Sequence, residues 1–304
     1  MTEIRDEIEP RAKRRSWRIV AITAVVALFA TVGLAAVADS MGFRVRGGNG
    51  NSAMVNCAGG MDRLSQPFDE GFTTIFPGDP EVMVEIVNTI PVDFFLLEKI
   101  TTGTHGGTHV DAPRHFVEGG RSIDQLDATE FVMPAYVIDV RDRVAAEGPD
   151  FQLEKADIRA YERANGKIKE GSMVIIFTGH QELFGTPLYN GVRHPGFSGD
   201  AVNWMIEKRH IDALGSDGLG PDASLDANFE ATFNMLAADG ITVPGLNNLE
   251  TMAAKGDIII ASAVPLVGGS GFQTDPLACH GNRGPGNNGF DYGDNDDDDD
   301  EDDD

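Results

Sequence analysis

Apolar positions along the chain recur with two different periods. Val- and Ile-rich runs at 135–140, 173–177, 211–214 and 258–264 have the continuous hydrophobicity of strands buried on both faces. Residues 153–164, closed by Gly166, and residues 199–210, with Ser198 placed to cap the first turn, carry helical periodicity. A third helix is predicted over 227–238, closed by Gly240. In 61–100, Pro67, Pro77, Pro80 and Pro91 break the chain into short extended pieces, which predicts β-hairpins and loops without helices. Together these patterns predict an α/β domain with a β-rich first third.

The two ends read differently. Arg11, Lys13, Arg14, Arg15 and Arg18 precede an uncharged apolar run at 19–38, the order that sets a chain for export. The run is long enough to span a bilayer, while Ala36-Val37-Ala38 offers the small-x-small pattern of a cleavage site. Residues 1–38 are therefore expected to be a membrane anchor or signal segment, with the domain exported and either anchored outside or secreted after cleavage at Ala38. The Gly- and Asn-rich stretch 39–60 is expected to be a linker, 61–280 a single domain, and 281–304 a disordered acidic tail.

Composition narrows the partners. The 304-residue chain carries a formal net charge of −25, which repels nucleic acid and anionic lipid and suits a high-salt setting where self-repulsion is screened. A small molecule is the expected partner, nucleic acid is not, and the membrane is reached only through the N-terminal segment. Cys57 and Cys279 are the only cysteines. In an oxidising compartment they could staple the ends of the domain; two unrelated thiols is the equal alternative.

Residues 101–116 hold the chemistry. Within eleven positions lie His105, His109, Asp111 and His115. Gly106, Gly107 and Pro113 argue against a helix, and Gly stands at 106 where a helical zinc-protease motif needs Glu. A glycine turn can still fold both imidazoles towards one point, and Asp111 shares a side with His109 if Val110 continues as a strand. Two imidazoles and a carboxylate leave open positions on Zn²⁺ or Mn²⁺, where a water can reach a pKa near ~7 and attack a carbonyl. A loop of surface histidines is the bland alternative. Serine chemistry is disfavoured, because Gly268-Gly-Ser-Gly-Phe272 lacks the second glycine of G-x-S-x-G. His180 at a strand end, His194 before a proline, His210 at a helix end and His280 near the tail are weaker candidates.

The string from His105 to Phe116 resembles the H-x-G-T-H-x-D-x-P-x-H-F motif of the cyclase family of metal-dependent hydrolases, which includes bacterial kynurenine formamidases, isatin hydrolases and trans-dienelactone hydrolases. Asp62-Arg-Leu-Ser65, Phe76-Pro-Gly-Asp79, Phe177-Thr-Gly179, His194-Pro-Gly-Phe-Ser198, Gly215-Ser-Asp217 and Gly268-Gly-Ser-Gly271 extend the resemblance over about 61–278. It implies a swivelling β/β/α domain, usually in a homo-oligomer. It also implies that His105, His109 and Asp111 are metal ligands and His115 the acid-base residue. The implied reaction is hydrolysis of a formamide, cyclic amide or lactone. Members with two metals add a His and a Glu; the matching positions here are Thr232 and Pro244, so one Mn²⁺ or Zn²⁺ per chain is expected. An exported metal-containing binding protein with lost catalysis remains the second reading.

Overall fold

The computed structural model describes residues 43–46, 52–55, 57–73, 75–191 and 193–281, all within one compact unit that begins at Phe43. The expected segment 1–38 and the acidic tail beyond Gly281 lie outside the described residues. The expectation of a transmembrane anchor is corrected. A spanning helix needs about 20 apolar residues, and no helix among the described residues is long and apolar enough to cross a membrane. The longest described helices have 11 residues and carry charged faces. The membrane-anchored, exported localisation is withdrawn with the anchor.

The first third is β-structure, as its prolines predict. Within the stretch read as a linker, β1 (Phe43–Arg46) and β2 (Ser52–Val55) pair antiparallel. Next come β3 (Met61–Arg63) and a second antiparallel hairpin of β4 (Met83–Asn88) and β5 (Leu97–Thr101). Between its strands lies one unexpected turn of helix, α1 (Ile90–Asp93). Pro91 sits in that first turn, where its missing N–H costs no hydrogen bond and its fixed φ already suits the helix.

Strands and helices alternate from there on: β6 (His109–Asp111), β7 (Val132–Asp139), α2 (Arg141–Glu147), β8 (Gln152–Leu153), α3 (Lys155–Asn165), β9 (Met173–Phe177), α4 (Pro187–Gly191), β10 (Gly196–Phe197), α5 (Gly199–Arg209), β11 (Ala213–Ser216), α6 (Glu230–Ala237), β12 (Ile241–Val243), β13 (Lys255–Ile260), β14 (Gly271–Gln273) and β15 (Leu277–His280). Ser198 caps α5 by accepting from the Ala201 N–H at 3.2 Å, as its position predicts. α6 begins at Glu230, three residues later than expected. Asp226 accepts from the Glu230 N–H and Asp222 from the N–H groups of Ala231 and Thr232, so these side chains satisfy the first turn and hold 227–229 outside the helix. β13 stops at Ile260, where its partner β7 starts.

Nine strands form one mixed sheet in the order β14-β6-β12-β11-β9-β7-β13-β15-β3. The central four, β12, β11, β9 and β7, run parallel, and the outer strands are antiparallel. Ser65 beyond β3 bridges Leu246 beyond β12, and Ala263 bridges Thr274, so the sheet curls back on itself. Period-two alternation then divides the central strands between two cores. Ala135, Val137, Met173 and Ile175 face one core with Val110 and Val243. Tyr136, Ile138, Val174 and Ile176 face the other, packed on Ile158, Met205 and Met235 of α3, α5 and α6.

The cysteines are joined: Cys57 and Cys279, 222 positions apart in sequence, form a disulfide with Cα atoms 5.0 Å apart. Cys279 is fully buried on β15 against Ile258 and Val132. Closing so long a loop restricts the unfolded chain strongly. Cys57→Ser with Cys279→Ser is expected to cost about 2–5 kcal/mol of unfolding free energy, measured by urea titration against the oxidised protein; equal midpoints would contradict the expectation.

Candidate metal centre

β6 has only three residues and lies between β14 and β12, with Asp111 opposite Gly271 on one side and Thr242 on the other. Val110 points into the core, fully buried. Alternation then turns His109 and Asp111 to the opposite side together. The turn before the strand brings His105 back onto them. Gly107 supports that turn at φ 67°, and a Cβ there would approach Thr73 Cγ2 to 3.0 Å. A Cβ on Gly271 would lie 2.7 Å from His105 Cε1 and 2.3 Å from the Val110 oxygen, so only glycine leaves space for the imidazole.

The three side chains converge. His105 Nδ1 lies 2.6 Å and His109 Nε2 3.2 Å from the same Asp111 oxygen, Oδ1, and one ligand atom from each of the three falls within 4.8 Å of the others. Their remaining polar atoms are engaged behind the site. His109 Nδ1–H donates to the Gly107 carbonyl at 2.7 Å, His105 Nε2 meets Ser270 Oγ at 2.8 Å, and Thr242 Oγ1 donates to Asp111 Oδ2 at 2.5 Å. This leaves Nδ1 of His105, Nε2 of His109 and Oδ1 of Asp111 facing one point. The donor set fits a divalent cation with open coordination positions, and the outer hydrogen bonds fix each ring's orientation as metal-binding histidines require.

Burial and charge oppose each other here. Burial alone would push the Asp111 carboxyl up, but His109 and His105 hold it well below the usual carboxylate range. Burial would lower His109, yet the Asp111 charge and hydrogen bond raise it. His115 follows on a 3-10 turn, Pro113–His115, and stacks on His105 with ring centroids 3.8 Å apart and planes 19° apart. Burial lowers its pKa against the opposing charge of Asp111, with His105 and His109 adding to the lowering, which favours the neutral ring.

All four side chains open onto a cavity of ≈690 Å³. Phe76, Phe116 and Phe229 line one part of it, with Phe229 edge-on to each of the other two at centroid distances of 5.9 Å. Arg193, His194, Asp222 and Thr232 add polar groups to the lining.

Residues 63–223, over half of the 304-residue chain, match the family model named Cyclase. The chain belongs to the Cyclase family. This Cyclase-family chain is 32% identical over 215 residues to the isatin hydrolase of Roseibium aggregatum, an alignment covering 66% of this chain and 81% of that protein. It is 37% identical over 78 residues to the kynurenine formamidase of Bacillus cytotoxicus, spanning 25% of this chain and 37% of that one. A crystal structure of an isatin hydrolase bound to the product analogue thioisatinate superposes with a TM-score of 0.67 at 26% identity, covering 72% of this chain and 91% of that chain.

The Cyclase-family motif thus brings together the four residues singled out from sequence. The other histidines go elsewhere or play other parts. His180 is buried, its Nε2–H donating to the Tyr189 carbonyl at 2.9 Å. His194 lines the cavity, and burial lowers its pKa to about 4. His210 ends α5 in the left-handed conformation, and His280 lies 3.0 Å from both Asp62 and Asp257. Thr232 reaches the cavity, but its hydroxyl donates to Asp222. Pro244 offers no side-chain donor. Ser270 and Thr242 were not identified as site residues by sequence: a hydroxyl on a remote strand or loop gives no local sign of which ligand it orients. Ser270→Ala and Thr242→Val are each expected to weaken divalent-metal affinity by about 10–100-fold, measured by competition with a chelating dye; unchanged affinity in both would remove the orienting role.

Proposed function

We propose that this Cyclase-family hydrolase cleaves the amide C–N bond of a small aromatic formamide or cyclic amide in the cavity of the 61–280 domain. His105, His109 and Asp111 hold one Mn²⁺ or Zn²⁺, and His115 moves the proton. The observation that carries the reading is the convergence of three ligand atoms within 4.8 Å at the wall of an aromatic-lined cavity. A divalent cation bound there supplies Lewis acidity towards a carbonyl and acidifies water.

The chain's own groups do the rest. Phe76, Phe116 and Phe229 offer edges and faces to a flat aromatic substrate. His115, neutral at rest, can accept a proton as water adds to the carbonyl carbon, then return it to the nitrogen as the C–N bond breaks. Stacking on His105 fixes the plane of its ring beside the ligand set. The relatives' names, isatin hydrolase and kynurenine formamidase, support an amide-type substrate. The alternative of a binding protein without catalysis has no support among them.

Two outcomes test the assignment of roles. His109→Ala is expected to lose metal and activity together, while His115→Ala keeps its metal and loses about 10²–10⁴-fold in kcat; metal analysis beside turnover on N-formyl aryl amines, isatins and lactones separates them. Loss of metal from the His115 variant as readily as from the His109 variant would make His115 a ligand. Elemental analysis of dialysed protein is expected to give one metal per chain, because Thr232 is committed to Asp222 and Pro244 cannot coordinate. A reproducible ratio of two would defeat this count.

A further inference from the structure

Two residues of the cavity wall carry polar atoms that neither the fold nor the chemistry at the ligand set uses. His194, between α4 and β10, lines the cavity and is only 7% exposed. Its Nδ1–H donates to the Pro195 carbonyl at 3.2 Å, which fixes the tautomer and leaves Nε2 as the acceptor. Burial above all lowers its pKa to about 4, against the Pro195 hydrogen bond, so the ring is neutral at pH 7. Nε2 has no hydrogen-bond partner among the described residues, yet it is not sealed from solvent. The space it meets is the cavity that the residue lines.

Ser224, between β11 and α6, is tied to it. The His194 N–H donates to Ser224 Oγ at 2.7 Å and the Ser224 N–H to the His194 carbonyl at 3.0 Å. Ser224 also lines the cavity, and its own O–H has no acceptor among the described residues. An acceptor nitrogen and a donor hydroxyl are thus held side by side by paired backbone. Glycines separate them from the ligand set. A Cβ on Gly218 would lie 3.0 Å from His194 Nδ1, and the Gly218 carbonyl accepts from the Gly245 N–H at 2.9 Å. A Cβ on Gly245 would in turn lie 3.1 Å from the Gly107 oxygen, the carbonyl that holds His109. Two backbone spacings of about 4.8 Å give a span on the order of 10 Å, room for one aromatic ring with its substituents.

We propose that His194 and Ser224 form a subsite for a neutral hydroxyl on the substrate's ring, so that the substrate is a ring-hydroxylated aromatic amide with its C–N bond at the metal end. The proposal rests on the reading of this cavity as an aromatic-amide site. A hydroxyl satisfies both partners, donating to Nε2 and accepting from the Ser224 O–H. A carboxylate suits the place poorly, because its oxygens would meet the Nε2 lone pair. Arg193, the only Lys or Arg among the described lining residues, is paired with Asp150 at 2.8 Å, while Asp79, Asp222 and Asp226 line the same cavity. Discrimination follows from burial, since a ligand that leaves the His194 acceptor unpaired forfeits its desolvation.

The test is calorimetric titration of the full chain, loaded with Zn²⁺, with hydroxyacetophenones and their fluoro counterparts at each ring position. These ketones offer a carbonyl to the metal and no C–N bond to cleave, and fluorine is close to hydroxyl in size but donates nothing. One hydroxy isomer is expected to bind the wild type ~10–100-fold more tightly than its fluoro counterpart. That ratio should fall about tenfold in His194→Leu and about threefold in Ser224→Ala, where the side chain is exposed. Unsubstituted acetophenone should bind both variants as it binds the wild type. No hydroxyl preference in the wild type, no binding of any isomer, a ratio unchanged in both variants, or tighter binding of carboxyacetophenones overturns the subsite. Turnover of aromatic amides without a hydroxyl preference refutes the subsite alone. A hydroxyl preference without turnover of any amide refutes the amide reading and leaves the subsite standing.

Discussion

The carboxylate of Asp111 sits almost wholly out of water between two imidazoles and a threonine hydroxyl. An unpaired charge buried in this way would cost several kcal/mol, so the surroundings must be built to compensate it. Much of the sheet serves that need. Thr242 comes from β12 on one side of β6, and β14 on the other side carries Gly271, whose missing side chain admits His105. Only three strands that are distant in sequence and adjacent in space can deliver those contacts to one residue. The short β6 is held at the place where two antiparallel partners close the curl of the sheet.

The same curl separates structural duties from chemical ones. Alternating residues of β7 and β9 fill a core on each face of the sheet, and the helices cover only one of them. The cavity is walled by the loops around β6, the loop after β11 and the start of α6. His109 and Asp111 are thus carried on a rigid sheet, while His105, His115 and most of the cavity wall come from turns and loops, the segments that tolerate change. At the opposite edge the Cys57–Cys279 bond ties β15 to the segment that leads into β3.

Asp222 shows how one local choice limits the chemistry of the cavity. It caps α6 through the N–H groups of Ala231 and Thr232 and accepts the Thr232 hydroxyl as well. Burial pushes its carboxyl up, and those hydrogen bonds counter the shift. A carboxylate so engaged has its lone pairs turned towards the helix end, and Thr232 uses its hydroxyl on the same partner. Polar groups are therefore present on this side of the cavity, but they are already committed to folding.

The one-dimensional chain carried enough to place the central strands, the long helices and the spacing of His105, His109, Asp111 and His115. Those features rest on period, propensity and short-range geometry, which a few neighbouring residues determine. Capping by Asp222 and Asp226, which delays α6, and the register that sets Ser270 behind His105 and Thr242 behind Asp111 were decided only in three dimensions. So was the joining of Cys57 to Cys279. Each depends on groups tens to hundreds of residues apart meeting within bonding distance, and such meetings are fixed by how the sheet curls and its strands order, which no local window of sequence contains.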